Sequence, residues 1–345
     1  MAEKLRLAII GLGRIGKKHA ENLVYKIPNC DVRVICTPVE EEQKYARETL
    51  GINDVASDYA DVLARDDIDA VFIVTPTILH ADQIIQGLEA GKHVFCEKPV
   101  ALNVEDCVRV EKVSSQYPGL VCCIGFVRRW DPSLVEAKRQ IDAGEVGVPF
   151  LVRSQTADMD EWAAFQVAGV PASGGIFPDM SIHDIDLVHW LTGQTIDEVY
   201  ALGGAYAHPE FLSVNDADNV SAMCRLSGGG MANISGSRTA HHGHDTYAEI
   251  HGTHRTLIIG SNPSQDRLVI KDKHGVRNTC VPDFFARFAD AFLLEASDFV
   301  NCCLNGIKPR VSLEDARKAT QVAIALRESF QSGSVVKIES LLEIE

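Results

Sequence analysis

The chain has no run of lysine and arginine, no Cys-x-x-Cys pair, no His-Glu-x-x-His motif and no long apolar stretch. Each absence closes a class of function. Nucleic acids and anionic membranes need a basic footprint, whereas this chain carries a formal net charge of −15. A bilayer span needs about 20 consecutive apolar residues, and the apolar runs here are of strand length. Met1-Ala2-Glu3-Lys4 leads directly into such a run, so no signal peptide is expected. Without paired cysteine spacing, zinc and redox-motif readings fall away. Cys36, Cys96, Cys122 and Cys123 lie in apolar runs and read as small buried hydrophobes, which fits a reducing, cytoplasmic setting. There is no internal repeat and no low-complexity linker.

What is present is an ordinary globular composition, 46% apolar and 23% charged, in 345 residues, enough for about two domains. Apolar strand runs at 5–10, 32–36, 70–74, 93–97 and 120–125 alternate with helical stretches. One helix stops at Gly91 and the next is capped by Asn103. This alternation predicts a doubly wound parallel sheet over 1–125. Beyond 126 the pattern changes. Asp131-Pro132 reads as N-cap and first helical residue of a helix ending at Gly144. Strand-like runs follow at 148–156, 199–206, 219–226, 231–238, 246–251 and 256–259, and they predict an antiparallel meander. Two long helices, 284–304 and one opening at Ser312 and fading at Gly333, close the chain. The expected architecture is α/β followed by α+β: a nucleotide-binding domain over 1–125 and a second domain, with a mostly antiparallel open-faced sheet, over 126–345.

Gly11-x-Gly13-x-x-Gly16 follows the first strand and opens a helix, the context that gives this motif meaning as a dinucleotide site. Gly11 allows the tight turn, Gly13 lets backbone approach a pyrophosphate, and Gly16 lets helix and strand pack closely. The second strand ends in Thr37, where an acidic residue would select NAD. Thr37 neither repels a 2′-phosphate nor binds one. The following Glu40, Glu41 and Glu42 disfavour that phosphate and point to NAD, with NADP left open. Glu97-Lys98-Pro99 ends another strand and places a lysine at the carboxyl edge of the sheet, where open α/β folds hold ligands. Asp179 and His183, four apart on an amphipathic stretch, share one helix face and suit proton transfer. The competing readings are an N-cap with a core histidine, and a metal cluster with Asp184, Asp186 and His189. No metal site is expected, because no second ligand cluster accompanies it.

In order along the chain, five motifs resemble the Gfo/Idh/MocA oxidoreductase family: the glycine motif, Thr75-Pro76-Thr77-Ile78-Leu79-His80, Glu97-Lys98-Pro99, Gly125-Phe126-Val127-Arg128-Arg129-Trp130-Asp131, and Gly174-Gly175-Ile176-Phe177-Pro178-Asp179-x-x-x-His183. Within that family the chain looks most like the inositol 2-dehydrogenase branch. Ser237-Arg238-Thr239-Ala240, Gly243-His244-Asp245 and the tail 311–329 contribute to this. The resemblance implies an NAD(P)-binding Rossmann domain, a substrate-binding domain and a catalytic Lys98, Asp179 and His183. Gly11, Gly13, Arg14, Ile15, Gly16, Thr37, Thr75, Pro76, His80, Glu97 and Lys98 would serve the cofactor. Lys98, Arg128, Asp158, Asp179, His183 and His244 would serve the substrate. The implied reaction moves a hydride from a ring hydroxyl of a cyclitol to NAD. A pyranose dehydrogenase is the alternative within the family. A silent nucleotide-binding sensor is disfavoured because Lys98, Asp179 and His183 are all present. Where relatives carry tyrosine this chain has His241-His242-Gly243-His244-Asp245, either a substrate contact or a solvated run. The partners expected are a small polyol or sugar and further copies of the chain, as dimer or tetramer, since an open-faced sheet must bury one face.

Overall fold

The computed structural model describes residues 4–260 and 264–338. Strands β1 (Leu5–Ile10), β2 (Cys30–Cys36), β3 (Val55–Ala56), β4 (Ala70–Ile73), β5 (His93–Glu97) and β6 (Cys122–Gly125) alternate with helices α1 (Arg14–Tyr25), α2 (Glu40–Glu48), α3 (Tyr59–Leu63), α4 (His80–Glu89) and α5 (Val104–Ser114). All pairings are parallel in the order β3-β2-β1-β4-β5-β6. The strands are buried on both faces, which is why they read as continuous Val/Ile/Cys/Phe runs. The strand order turns at β1/β4, so the crevice for a ligand lies beyond the carboxyl ends of those two strands.

The next segment holds α6 (Pro132–Asp142), β7 (Pro149–Met159), α7 (Ala163–Ser173), a single π-helical turn Phe177–Ser181, α8 (Ile182–Thr192), β8 (Ile196–Gly204), β9 (Asn219–Leu226), β10 (Met231–Ala240), β11 (Asp245–Gly252), β12 (Thr256–Ile259), the hairpin β13 (Ser264–Asp272) and β14 (Gly275–Cys280), and α9 (Phe284–Arg287). Helix α10 (Ala289–Asn305), helix α11 (Leu313–Ser332) and the short strand β15 (Val336–Lys337) complete it. Asp131 caps α6 by accepting the Ser133 and Leu134 N–H groups, with proline at the first position. At α11, Ser312 and Asp315 exchange hydrogen bonds, Asp315 N–H to Ser312 Oγ at 3.0 Å and Ser312 N–H to Asp315 Oδ2 at 3.0 Å, a capping box with aspartate in place of glutamate. The helix expected over 284–304 is two, broken at Phe288 between α9 and α10.

The second sheet has the order β12-β11-β7-β10-β9-β8-β15. It is mostly antiparallel, as expected, but it is not a simple meander. β7 lies between β10 and β11, parallel to the first and antiparallel to the second. The long excursion from β7 through α7 and α8 to β8 makes that placement possible. Alternate residues of β7 to β11 point to a buried face that carries α8. The lack of a side chain at Gly236 on that face lets the π-helical turn approach. A Cβ at Gly236 would stand 2.9 Å from Met180 Cε.

The described residues fall into two compact units, those within 1–130 with Asp290–Arg317, and those within 131–289 with those after Arg317. The first is built around an aromatic group: Phe72 and Phe95 stack at 3.9 Å, with Phe299 edge-on at 5.9 and 5.6 Å. The second is pinned by buried acids. Asp184 on α8 is fully buried and accepts from Ser154 Oγ at 2.5 Å and Thr156 Oγ1 at 2.7 Å on β7. No helix among the described residues is long and apolar enough to cross a membrane. Replacing Asp184 with alanine strands two buried hydroxyls, so Asp184→Ala is expected to cost about 2 kcal/mol in urea unfolding. A change within about 0.5 kcal/mol, the range of ordinary surface substitutions, would contradict this packing role.

Candidate active site

The glycine motif forms the turn between β1 and α1. Gly11 adopts φ +89°, and a Cβ there would lie 2.8 Å from the Val74 carbonyl oxygen, so only glycine fits. A Cβ at Gly16 would meet the Gly11 carbonyl oxygen at 2.7 Å. Helix α1 starts from Gly13 with no side chain capping it, which suits a phosphate as its N-terminal partner. Arg14 is exposed and Ile15 half-buried at this first turn. These features fit the pyrophosphate of a dinucleotide. Thr37, expected to touch the ribose, is buried. Its hydroxyl donates to Glu42 Oε2 at 2.6 Å and accepts the Val39 N–H at 3.2 Å.

The loops after β4 and β5 are tied together. The Thr75 hydroxyl donates to Gln83 Oε1 at 2.5 Å, and Pro76 is exposed. His80 is buried, with Nε2 2.8 Å from the Thr75 carbonyl oxygen and Nδ1 2.7 Å from that of Pro99. Two carbonyl partners favour a doubly protonated ring, but burial outweighs them and lowers its pKa. His80 therefore bridges two loops, with both ring nitrogens on backbone carbonyls. Lys98-Pro99 is a cis peptide, and Lys98 is half-buried at the carboxyl end of β5.

Glu97 also faces inward. Its Oε1 is 2.8 Å from His19 Nε2 on α1, and its Oε2 accepts the Lys98 N–H at 3.2 Å. The His19 ring is enclosed by Phe72, Phe95 and Phe292 at 4.8, 5.6 and 5.2 Å. Glu295 of α10 brings a carboxylate oxygen within 4.8 Å of both His19 and Glu97. It is fully buried, and neither of its oxygens has a hydrogen-bond partner among the described residues. Burial, and then the charges of Glu97 and Asp298, push its pKa well above the usual carboxylate range. Arg128 is buried in the turn Val127–Trp130 of the same unit.

In the second unit, Asp179 sits in the π-helical turn and His183 in the first turn of α8, both half-buried. The regular helix predicted through both thus begins only at Ile182. Wide turns of this kind recur at functional sites. The approach to Asp179 is held by Asp216, which accepts the Ile176 N–H at 3.2 and 3.1 Å and pairs with buried Arg238 at 2.7 Å. Gly175, at φ +91°, has no space for a Cβ beside that carboxylate. Asp184 is committed to β7 and Asp186 is buried. The histidine run divides. His241 and His242 are exposed, whereas His244 is buried, its Nδ1 2.9 Å from Asp158 Oδ1. His244 Nε2 has no hydrogen-bond partner among the described residues. The structure thus pairs two candidates, Asp158 and His244, that lie 86 residues apart.

The cofactor candidates, Lys98 and Arg128 belong to the first unit; Asp158, Asp179, His183 and His244 belong to the second. Sequence reasoning passed over His19, Asp216 and Glu295. Glu295 left a signal: it follows Ala291 by four and precedes Phe299 by four, so it interrupts the apolar stripe of a helix. The others left none, because their partners are far away in sequence.

Two family models match the chain. The model of the oxidoreductase family with NAD-binding Rossmann fold matches residues 5–122, and that of the GFO/IDH/MocA C-terminal domain matches 134–258. The scyllo-inositol 2-dehydrogenase (NAD(+)) of Bacillus subtilis is 37% identical over 340 residues, covering 98% of each chain. The myo-inositol 2-dehydrogenase of Thermotoga maritima is 31% identical over 339 residues, covering 98% of this chain and 100% of its own. A crystal structure of scyllo-inositol dehydrogenase from Lactobacillus casei, with bound NAD(H) and scyllo-inositol, superposes with a TM-score of 0.94 at 37% identity, covering 98% of this chain and 100% of that one.

The buried Glu295 sets a pH dependence. A carboxyl whose folded pKa exceeds its unfolded value, roughly 4.3, makes folding less favourable as pH rises above that value. Glu295→Gln removes this penalty. Its thermal midpoint relative to the native chain is expected to rise between pH 5 and pH 8. Parallel pH curves for the two proteins would contradict a raised Glu295 pKa.

Proposed function

The chain belongs to the Gfo/Idh/MocA oxidoreductase family, and on that premise we propose that it oxidises a secondary ring hydroxyl of a myo- or scyllo-inositol-type cyclitol to the ketone, with NAD as acceptor. The observation that supports this most is a glycine-cradled, uncapped helix N-terminus in the same sheet that carries Lys98 at a strand's carboxyl end. When bound, NAD accepts the hydride at its nicotinamide ring. The chain supplies everything else. His183 takes the proton from the hydroxyl whose carbon loses hydride. Asp179 orients His183 and stabilises its cation. Lys98 binds the reacting oxygen and offsets its developing negative charge. Arg128 and the Asp158/His244 pair hold further hydroxyls; with Asp158 on Nδ1, His244 keeps Nε2 for substrate.

The inositol dehydrogenases that match over the full chain length support a cyclitol over a pyranose. A panel of inositol isomers and aldoses, followed by NADH formation, is expected to give turnover with at least one inositol. Turnover of a sugar but of no inositol would overturn the substrate class. Lys98→Ala and His183→Ala are each expected to lower kcat by at least ~100-fold, the scale of general acid–base assistance. Near-native kcat in either variant would refute its role.

We also propose a homo-oligomer, a dimer or tetramer, working in the cytoplasm. Strand register places Tyr200, Met223, Asn233, Arg153, Glu249 and Ile258 on one rung of the second sheet, all pointing to one side. Tyr200, Met223 and Ile258 of that rung, with Leu202 and Met231 on the flanking rungs, are exposed. Such a face favours burial against a second copy. Light scattering is expected to return at least twice the 37.7 kDa chain mass; a stable monomer would count against it.

A further inference from the structure

The position at the end of β2 that normally carries an NAD-selecting acid is taken by Thr37, yet a carboxylate stands at that place. Glu42, in the first turn of α2, folds back toward the glycine motif. Its Oε2 accepts the Thr37 hydroxyl at 2.6 Å and the Leu12 N–H, between Gly11 and Gly13, at 3.2 Å. Its Oε1 lies 3.9 Å from the position a Cβ on Gly13 would occupy. A glutamate at the third helical position ordinarily reaches back to its own helix's N-cap N–H. Here that N–H, on Val39, goes to the Thr37 oxygen at 3.2 Å. Since Thr37 Oγ1 accepts from Val39, its one proton is left for Glu42, and Glu42 is released to the glycine turn. Glu40 and Glu41, its neighbours in the acidic run, are exposed.

We propose that Glu42 is the cofactor-selecting residue of this chain. Its carboxylate accepts the ribose 2′-hydroxyl of NAD and excludes the 2′-phosphate of NADP, with Thr37 as the positioning residue that aims it. The chemistry is that of the usual strand-end acid, delivered from the next helix. A carboxylate already anchored between two strand ends has only its remaining lone pairs to offer a ribose, and a phosphate dianion there meets a like charge. The inference rests on the NAD-binding reading of the first unit.

The test is equilibrium binding without substrate. NAD and NADP are each titrated into the full chain by calorimetry, with thermal unfolding as a check on folding. Native protein is expected to prefer NAD. Glu42→Gln is expected to weaken NAD and strengthen NADP, so that the preference falls by roughly tenfold or more, the scale of one charge-assisted hydrogen bond. Glu41→Gln is expected to leave the ratio unchanged. Adding Thr37→Asp to Glu42→Gln returns a carboxylate to the strand end and is expected to restore the preference. If Glu42→Gln keeps the native ratio, the inference fails while the NAD reading stands. If Glu42→Gln fails to fold, an NAD preference restored by the folded Thr37→Asp/Glu42→Gln variant supports the inference, and no preference in it overturns it. If neither nucleotide binds native protein, both fail.

Discussion

The buried Glu97 side chain is the constraint that ties the glycine-loop helix of the first unit to Lys98. One oxygen holds His19 of the glycine-loop helix, and the other holds the backbone N–H of Lys98. A carboxylate inside protein is costly unless both oxygens are satisfied, so this group is itself a constraint. It couples the position of α1, which opens at the glycine turn, to the peptide that carries Lys98. The aromatic rings around His19 exclude the water that would otherwise compete for that bond. Glu295 of α10 lies within 4.8 Å of both His19 and Glu97, and burial pushes its pKa well above the usual carboxylate range.

The same division of labour runs through the second unit. Asp184 and Asp216 are buried, fully hydrogen-bonded and engaged in holding α8 and the approach to the π-helical turn. Asp158 and Asp179 stay half-exposed. Acids that hold neighbouring backbone and hydroxyls are inside, and acids proposed to act in the reaction are partly exposed. Exposure therefore separates the two roles better than residue type does, since all four are aspartates.

Much of this was legible in the sequence. Periodicity placed β1, β5, β9 and β12 to the residue, because β1, β5 and β12 centre on apolar runs and β9 alternates strictly. Asn103, Asp131 and Ser312 marked helix starts through side chains that do cap. What was not legible is non-local. Nothing near β7 says that it pairs parallel to β10, since partners 80 residues away decide it. Thr37, His80 and Glu97 fall on motif positions, yet each turns its polar atoms toward protein. A motif fixes where a residue stands on the chain and not which way its side chain faces. His244 shows the converse, a histidine in an apparently solvated run that packs inside against Asp158.

The central claim is direct hydride transfer from a cyclitol ring carbon to NAD. The measurement that meets it most squarely uses inositol deuterated at every ring carbon, with NAD and the native chain, and follows the label by NMR and mass spectrometry. The account predicts one deuteron on carbon 4 of the reduced nicotinamide, a ketone product, and a slower rate than with unlabelled inositol. Reduced cofactor without deuterium, or label released to water, would contradict it.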